Sequence, residues 1–305
     1  MSSEPGRVLK RIWTNWELYV LILPPVLYFL IFRYVPMYGV LIAFKQFSAA
    51  KGVWDSPWVG IEHFVAFFES YNFKQIFMNT VFLSVLVLLT AFPIPILIAL
   101  MLNQVVHLKV KKFIQTSIYA PYFISTVVLV GMVFVFLSPS SGIVNHIIQA
   151  FGGEPVLFMA QSHWFRPIYI FTEIWQNTGF AMIIYLAALT SIDPHLHEAA
   201  IVDGASKLQR VRHIDLPGIA PTILIMFILA TGNLMNIGFE KAFLMQTDMN
   251  IDSSEIIPTY VYKIGIQRAQ YSFSAAIGLF NAVINLILLV TVNQTMKRIT
   301  GRGLF

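Results

Sequence analysis

The stretch EAAIVDGASKLQRVRHIDLP, from Glu198 to Pro217, decides how the rest of this chain is interpreted. It is the longest well-charged segment between two long apolar runs. Ionised side chains are costly at the centre of a bilayer. We therefore expect this stretch to lie in water and to join two helices that lie in lipid.

The composition of the whole chain agrees with that interpretation. Of its 305 residues, 57% are apolar and only 11% are charged, whereas charged residues make up about 25% of a typical soluble domain. Runs of about 20 apolar residues recur, and this is the length that a helix needs to cross the hydrocarbon core. The chain contains no cysteine, which excludes disulfides and thiolate metal sites. These features predict an all-α, polytopic membrane protein.

Capping signals predict two short helices in the charged stretch. Asp193 suits an N-cap and Pro194 suits the first helical position. Gly204 would end or bend the first helix, because glycine adopts backbone angles that other residues resist. Ser206 would cap a second helix, which we expect to stop at Pro217.

The first of these short helices presents a small, smooth face. Leu196, Ala199 and Ala200 share one side of it at i, i+3, i+4 spacing. Such a face suits docking into a groove on another protein. The alternative is an ordinary polar loop with a helical turn, since loops between membrane helices are usually polar.

Hydropathy divides the chain into six transmembrane helices. The predicted spans are residues 16–35, 75–102, 113–137, 166–189, 217–239 and 273–296, of which the last five form a core over residues 75–296. We expect an aromatic interfacial segment over residues 36–74, the charged loop over 190–216, and terminal segments over 1–15 and 297–305. The first span lacks a small-residue cleavage site and is interpreted as an anchor.

Charge bias predicts the orientation of these spans. With six spans, both termini lie on the same side as the 190–216 loop. The lysines and arginines on that side are denser than those spread over the longer opposite connections. The positive-inside rule therefore places both termini and the 190–216 loop in the cytoplasm, and residues 36–74 outside.

The spacing of the charged stretch resembles the EAA loop of bacterial ABC importer permeases. Glu198-Ala199-Ala200, then Gly204 and finally Leu216-Pro217 match that long, gapped motif. By resemblance, the residues that couple to the ATPase are Asp193, Pro194, Glu198, Ala199, Ala200, Asp203, Gly204, Ala205, Leu216 and Pro217. In the family this loop forms coupling helices that sit in a cleft of the cytoplasmic ATPase.

A second resemblance points to one branch of that family. The segments Tyr34 to Gly39 and Ile42 to Lys45 look like LplB-like permeases, which serve oligosaccharide importers. Trp58 to Gly60, with His63 and Phe64, is similar to a segment of sugar-importer permeases. The resemblance implies the type I importer permease fold and a multi-pass protein of the bacterial plasma membrane.

The resemblance also implies partners and a mechanism. An extracytoplasmic solute-binding protein would deliver a carbohydrate to a cavity whose access alternates as two ATPase subunits close on ATP. ATP and magnesium would bind to those subunits, and this chain would hold no cofactor. One chain has one EAA loop and the importer needs two, so we expect a second permease, different from this one; a homodimer is the alternative. Membrane lipid surrounds the complex, and no nucleic acid is expected.

Polar residues inside the spans mark a possible substrate pathway, because buried polar groups in lipid need partners or water. The candidates are Glu173, Trp175, Gln176, Asn177, Asn233, Asn236, Asn281 and Asn285. Amides beside aromatic rings suit the hydroxyls and rings of sugars. Alternatively the asparagines join helices to each other, and Glu173 pairs with a basic group or is solvated near the outer interface.

The sequence contains no motif that indicates an enzyme. No G-x-x-x-x-G-K-[ST] loop is present, so the chain is not expected to hydrolyse ATP. His195 and His197 form H-x-H, which is no established zinc signature, and we expect no metal site.

Two other functions compete with carbohydrate import. One is a permease for amino acids, peptides or phosphate in the same superfamily, which carboxylates or arginines in the spans would favour. The other is a membrane scaffold that recruits a cytoplasmic partner without transport. Substrate-stimulated ATP turnover would separate transport from scaffolding.

Overall fold

The protein is described here from a computed structural model, which covers residues 13–301, 303 and 304. Regular structure in this part of the chain is helical, as the composition predicts; β pairing is confined to two isolated bridges, Lys45 with Trp58 and Ser48 with Gly52. The α-helices are α1 Trp16–Phe29, α2 Gly52–Asp55, α3 Glu62–Glu69, α4 Phe73–Ala91, α5 Pro93–Asn103, α6 Leu108–Tyr119, α7 Thr126–Phe136, α8 Ile143–Ala150, α9 Ser162–Thr190, α10 Pro194–Val202, α11 Lys207–Arg210, α12 Leu216–Gly232, α13 Phe239–Met245, α14 Ile251–Ser254, α15 Ile257–Tyr262 and α16 Tyr271–Thr300.

Short helical turns of other types extend several of these helices. The 3-10 turns are Val35–Phe44, Ala120–Phe123 and Phe158–Ala160, and the π turns are Leu30–Tyr34, Val211–Asp215 and Lys263–Gln267. The turns after α1 prolong it to Phe44, nine residues beyond the predicted end of the first span.

Within the described residues, four helical runs are long and apolar enough to cross a membrane: Trp16–Phe44, Phe73–Asn103, Lys207–Gly232 and Tyr271–Thr300. Two bent pairs raise the number to six if each pair is one span: Leu108–Phe123 with Thr126–Phe136, bent by 96°, and Ser162–Thr190 with Pro194–Val202, bent by 71°. The structure is thus a helical membrane protein with four to six spans.

The predicted span over residues 113–137 is not one continuous helix. It consists of the end of α6, a 3-10 turn, and α7 at a steep angle. Pro121 lies in the turn, where it lacks an amide donor for continued helix. Ser125 then caps α7, its Oγ accepting from Val128 N at 3.4 Å.

The predicted span over residues 217–239 ends earlier than expected. The helix stops at Gly232, and an irregular stretch leads to α13 at Phe239. The residues between the fifth and sixth predicted spans are largely helical and contain α13, α14 and α15.

Helix α9 lies at the centre of the fold and packs against α4, α5, α12 and α14. One apolar cluster joins α5, α9 and α12 through residues such as Leu102, Met182 and Ile219. A second joins α4, α7, α9 and α13, and a third joins α3, α4, α15 and α16. By contrast, neither α1 nor the π turn after it contains a buried residue.

Candidate coupling loop and membrane cavity

The two short helices predicted in the charged stretch are present as α10 and α11. Asp193 caps α10, accepting from His195 N at 3.0 Å, with Pro194 at the first helical position. Ser206 and Gln209 form a reciprocal capping box at α11: Gln209 N donates to Ser206 Oγ at 3.3 Å, and Ser206 N donates to Gln209 Oε1 at 2.7 Å. Both predicted caps are confirmed.

Gly204 makes the break between α10 and α11, as predicted. Its φ of +78° lies in the left-handed region that favours glycine. Gly204 N donates to Ile201 O at 3.0 Å and Ala205 N donates to Ala200 O at 2.8 Å. This pair of bonds is a Schellman motif, which satisfies carbonyls at the end of α10.

The second short helix does not stop at Pro217, so that prediction is wrong. From α11 the chain passes through a π turn, Val211–Asp215, directly into α12. Pro217 lies two residues after the end of this π turn, at the second position of α12, so the helical run continues through the proline instead of ending there.

Helix α10 stands out from the body of the protein. None of its nine residues is buried, and only His197 and Ala200 are even partly covered. Its apolar residues Ile201 and Val202 are exposed by 56% and 87%, and Leu208 on α11 by 77%. These side chains leave apolar surface uncovered on a highly charged loop.

A buried carboxylate, which was not predicted from the sequence, lies beneath α10. Asp215 is fully buried, although it had looked like one more charge in a water-exposed stretch. Gln104 Nε2 donates to its Oδ2 at 2.9 Å, and His197 Nε2 lies 3.2 Å from its Oδ1. The two histidines of the H-x-H pair therefore face different partners, since His195 Nδ1 lies 3.1 Å from Glu198 Oε2 at the surface.

A cavity of about 420 Å³ lies among α4, α5, α9, α12 and the irregular stretch after α12. Its walls are mainly apolar, as in most small-molecule sites. The polar residues that line it are Ser84, Tyr169, Glu173, Asn177, Thr178, Tyr185, Asn233 and Asn236. Four of the eight predicted pathway residues are therefore at this cavity: Glu173, Asn177, Asn233 and Asn236.

The other four predicted pathway residues lie outside the lining of this cavity. Gln176 Nε2 donates to Ile124 O at 2.9 Å, and Trp175 is 38% exposed. Asn281 Nδ2 donates to Asn236 Oδ1 at 2.7 Å, and Asn285 Oδ1 accepts from Met235 N at 2.9 Å. Asn281 and Asn285 thus join α16 to the irregular stretch. This agrees with the alternative prediction that the asparagines connect parts of the protein to each other.

Glu173 pairs with a basic group, one of the two roles that its sequence position left open. Its Oε2 accepts from Lys241 Nζ at 2.6 Å, and its Oε1 accepts from Asn177 Nδ2 at 2.6 Å. Lys241 is only 4% exposed and lies 5.6 Å from the ring centroid of Tyr169. No local pattern around Lys241 predicted this pairing, and only its position after the fifth span could be read from the sequence.

The part of the chain that contains the loop and most of the cavity lining matches a known family. Residues 91–300, from the end of α4 to the end of α16, match the family described as "Binding-protein-dependent transport system inner membrane component". The chain belongs to this family. It is therefore a transport permease of the bacterial membrane, and the family membership predicted from the EAA stretch is confirmed.

Full-length relatives strengthen the assignment to this permease family. The chain is 44% identical to "Protein LplB" of Bacillus subtilis (strain 168), over 97% of this chain and 92% of the relative. It is 42% identical to the "Polygalacturonan/rhamnogalacturonan transport system permease protein YteP" of the same organism, over 100% and 95%. The predicted likeness to LplB-like permeases is confirmed.

Solved structures share the fold of this permease. One chain from a bacterial ABC transporter involved in the import of the acidic polysaccharide alginate superposes with a TM-score of 0.89 and 43% identity, covering 96% of this chain and 99% of its own. A chain from the alginate ABC transporter in complex with alginate pentasaccharide-bound periplasmic protein matches with a TM-score of 0.89 and 42% identity.

Proposed function

We propose that this chain is the permease subunit of an ABC importer that moves an oligosaccharide into the cell by alternating access. The observation that carries the proposal is the near full-length match, at 43% identity, to a chain of a transporter that imports a polysaccharide. The chain itself is a permease and not an enzyme, and ATP with magnesium would bind to separate ATPase subunits.

The cavity supports a saccharide substrate. Amide groups of Asn177, Asn233 and Asn236 and the ring of Tyr169 line it, and they offer hydrogen-bond donors, acceptors and an aromatic surface. Its carboxylate, Glu173, is already engaged by Lys241 and Asn177. An amino-acid substrate would need an unpaired charged side chain in the cavity to bind its ammonium or carboxylate group. The carboxylate of Glu173 is not available for this, because it is already paired with Lys241.

The exposed helix α10 supports coupling to a cytoplasmic ATPase. Its apolar residues and the Schellman bend at Gly204 present a firm, protruding surface. The predicted coupling residues Asp193, Glu198, Ala199, Asp203 and Gly204 are all exposed. We propose that each of two ATPase subunits binds one such loop, one from this chain and one from a second permease.

A second permease subunit, different from this chain, would complete the importer, together with an extracytoplasmic solute-binding protein. Helix α1 contains no buried residue, so lipid or another subunit must cover its apolar sides. A solved relative was obtained with its periplasmic protein bound. We propose six spans with both termini cytoplasmic. The bent pair Leu108–Phe123 with Thr126–Phe136 counts as one span, and Ser162–Thr190 crosses the membrane without α10, which lies in the cytoplasmic loop.

The test is ATPase activity of the reconstituted complex of this chain, its partner permease, the ATPase and the binding protein, against a panel of oligosaccharides. Stimulation by one glycan class, together with uptake of that glycan, is the expected result. Stimulation by an amino acid or peptide instead would overturn the carbohydrate assignment. ATPase binding without any stimulated turnover would favour a scaffold over an importer.

A further inference from the structure

We propose that Asp215 is a positioning residue for energy coupling, which ties the docking helix α10 to the cytoplasmic ends of α5 and α12. The three residues Gln104, His197 and Asp215 form what we name the Asp215 node. This inference rests on the proposed function, since it concerns how movement of α10 would reach the membrane helices.

The node joins three segments that are far apart in the sequence. Asp215 ends the π turn that leads into α12. Gln104 directly follows α5 and donates to Asp215 Oδ2 at 2.9 Å. His197 belongs to α10, and its Nε2 lies 3.2 Å from Asp215 Oδ1. One carboxylate therefore contacts a membrane helix on one side and the docking helix on the other.

His197 is a principal contact of α10 with the rest of the chain. Of the residues of α10, only His197 and Ala200 are partly covered, and they lie one turn apart on the same side. A force applied to α10 by a bound partner would therefore act on the membrane helices mainly through this side. His197 is the one polar residue on it.

Burial makes the node sensitive to the loss of either partner. A buried carboxylate that loses a partner is left uncompensated, which is strongly unfavourable. Asp215 Oδ1 has no aligned hydrogen-bond donor among the described residues, so the imidazole of His197 is the group that faces it. A movement of α10 that separates His197 from this oxygen would leave no polar group of α10 beside it.

Close packing beside the node supports the same function. A Cβ added at Gly218, in the first turn of α12, would lie 2.6 Å from Ile192 Cδ1. Ile192 precedes α10 and packs with Val211 against the apolar cluster of α5, α9 and α12. The residue two positions before α10 and the middle of α10 therefore both lie against the start of α12 or the turn before it.

The experiment measures saccharide imported per ATP hydrolysed in proteoliposomes that contain the full complex. Three variants are compared with wild type: His197→Phe, which removes the imidazole nitrogens; His197→Gln, which keeps a donor; and Asp215→Asn. The matched control is His107→Phe, an exposed histidine at the start of α6, outside the node. The amount of ATPase bound to each purified complex is measured in parallel.

We expect His197→Phe and Asp215→Asn to lower the ratio about fivefold or more, the lower end of common coupling energies, with ATPase still bound. His197→Gln should keep a ratio of saccharide imported to ATP hydrolysed that is close to wild type, and His107→Phe should match wild type. A normal ratio for His197→Phe would overturn the proposed role of the Asp215 node. An equally low ratio for His197→Gln would overturn it as well. If the wild-type complex itself shows no ATP-driven uptake, the proposed function fails instead.

Discussion

Gly204 shows how much of the coupling loop depends on a single backbone angle. Its φ is +78°, yet a Cβ built there meets no atom within 4 Å. A side chain at this position would therefore cause backbone strain and no steric clash. The strain for a β-branched residue is about 1–3 kcal/mol.

We predict that Gly204→Val uncouples ATP hydrolysis from transport, because α10 would no longer keep its angle to α11. The measurement is uptake and ATP hydrolysis by the reconstituted complex at matched protein levels. Gly204→Asn is the control, since asparagine visits the left-handed region more easily, and it should stay close to wild type. Normal transport by the valine variant would contradict the prediction.

The ion pair between Glu173 and Lys241 leads to a second prediction at this scale. Lys241→Met would leave the carboxylate without its cation, and breaking a buried pair costs roughly 3–5 kcal/mol. We expect the lower end of that range, because Glu173 keeps 24% of its side chain exposed. The measurement is thermal unfolding of the purified protein in detergent.

The double variant Lys241→Met/Glu173→Gln is the control for this pair. It removes both charges, so it should unfold at a higher temperature than Lys241→Met alone. If the single and double variants unfold at the same temperature, the loss comes from packing of the lysine and not from an unpaired carboxylate.

Among the structural elements, the irregular stretch after α12 is hydrogen-bonded by side chains of α16. Asn285 on α16 accepts from the buried Met235 N at 2.9 Å. We predict that Asn285→Leu destabilises the protein by about 1–3 kcal/mol, the cost of an unsatisfied buried amide. Thermal unfolding checks this, with Leu286→Ala, an exposed neighbour on the same helix, expected to change little. Equal effects of the two variants would argue against the hydrogen bond.

The elements also show what the sequence could predict and why. Caps at Asp193 and Ser206 and the bend at Gly204 depend on residues a few positions apart, so local patterns were enough to predict them. The bond from Gln104 to Asp215 joins residues 111 positions apart, and no local pattern contains it. The role of Asn281 was equally open, because hydropathy predicts that a helix spans the membrane and not which side faces the cavity.

Pro121 and Pro217 illustrate the same limit for helix ends. Both were visible in the sequence, but one lies at a 96° bend and the other lies in a helix that begins just before it. The outcome depends on the backbone beside each proline: the helix breaks after the turn that contains Pro121, whereas a π turn precedes Pro217 and the helical run continues.

For the whole molecule, the orientation in the membrane can be tested directly because the chain has no cysteine. Single cysteines at Ala49 and Lys207, both exposed, would report on opposite sides. We predict that Ala49→Cys reacts with a membrane-impermeant maleimide on intact protoplasts or spheroplasts, and that Lys207→Cys reacts only after permeabilisation. Labelling of both from one side would contradict six spans with cytoplasmic termini.

The uninterrupted helical run Lys207–Gly232 has 26 residues, and at 1.5 Å per residue it measures roughly 39 Å. One end of this run belongs to the charged loop, and the residue after its other end, Asn233, lines the cavity. The run can therefore act as a lever arm. A tilt of about 5° at the end in the charged loop would carry the far end through roughly 3 Å for an arm of this length, enough to break a hydrogen bond to a bound substrate. A small rotation at the surface would then suffice to release the cargo.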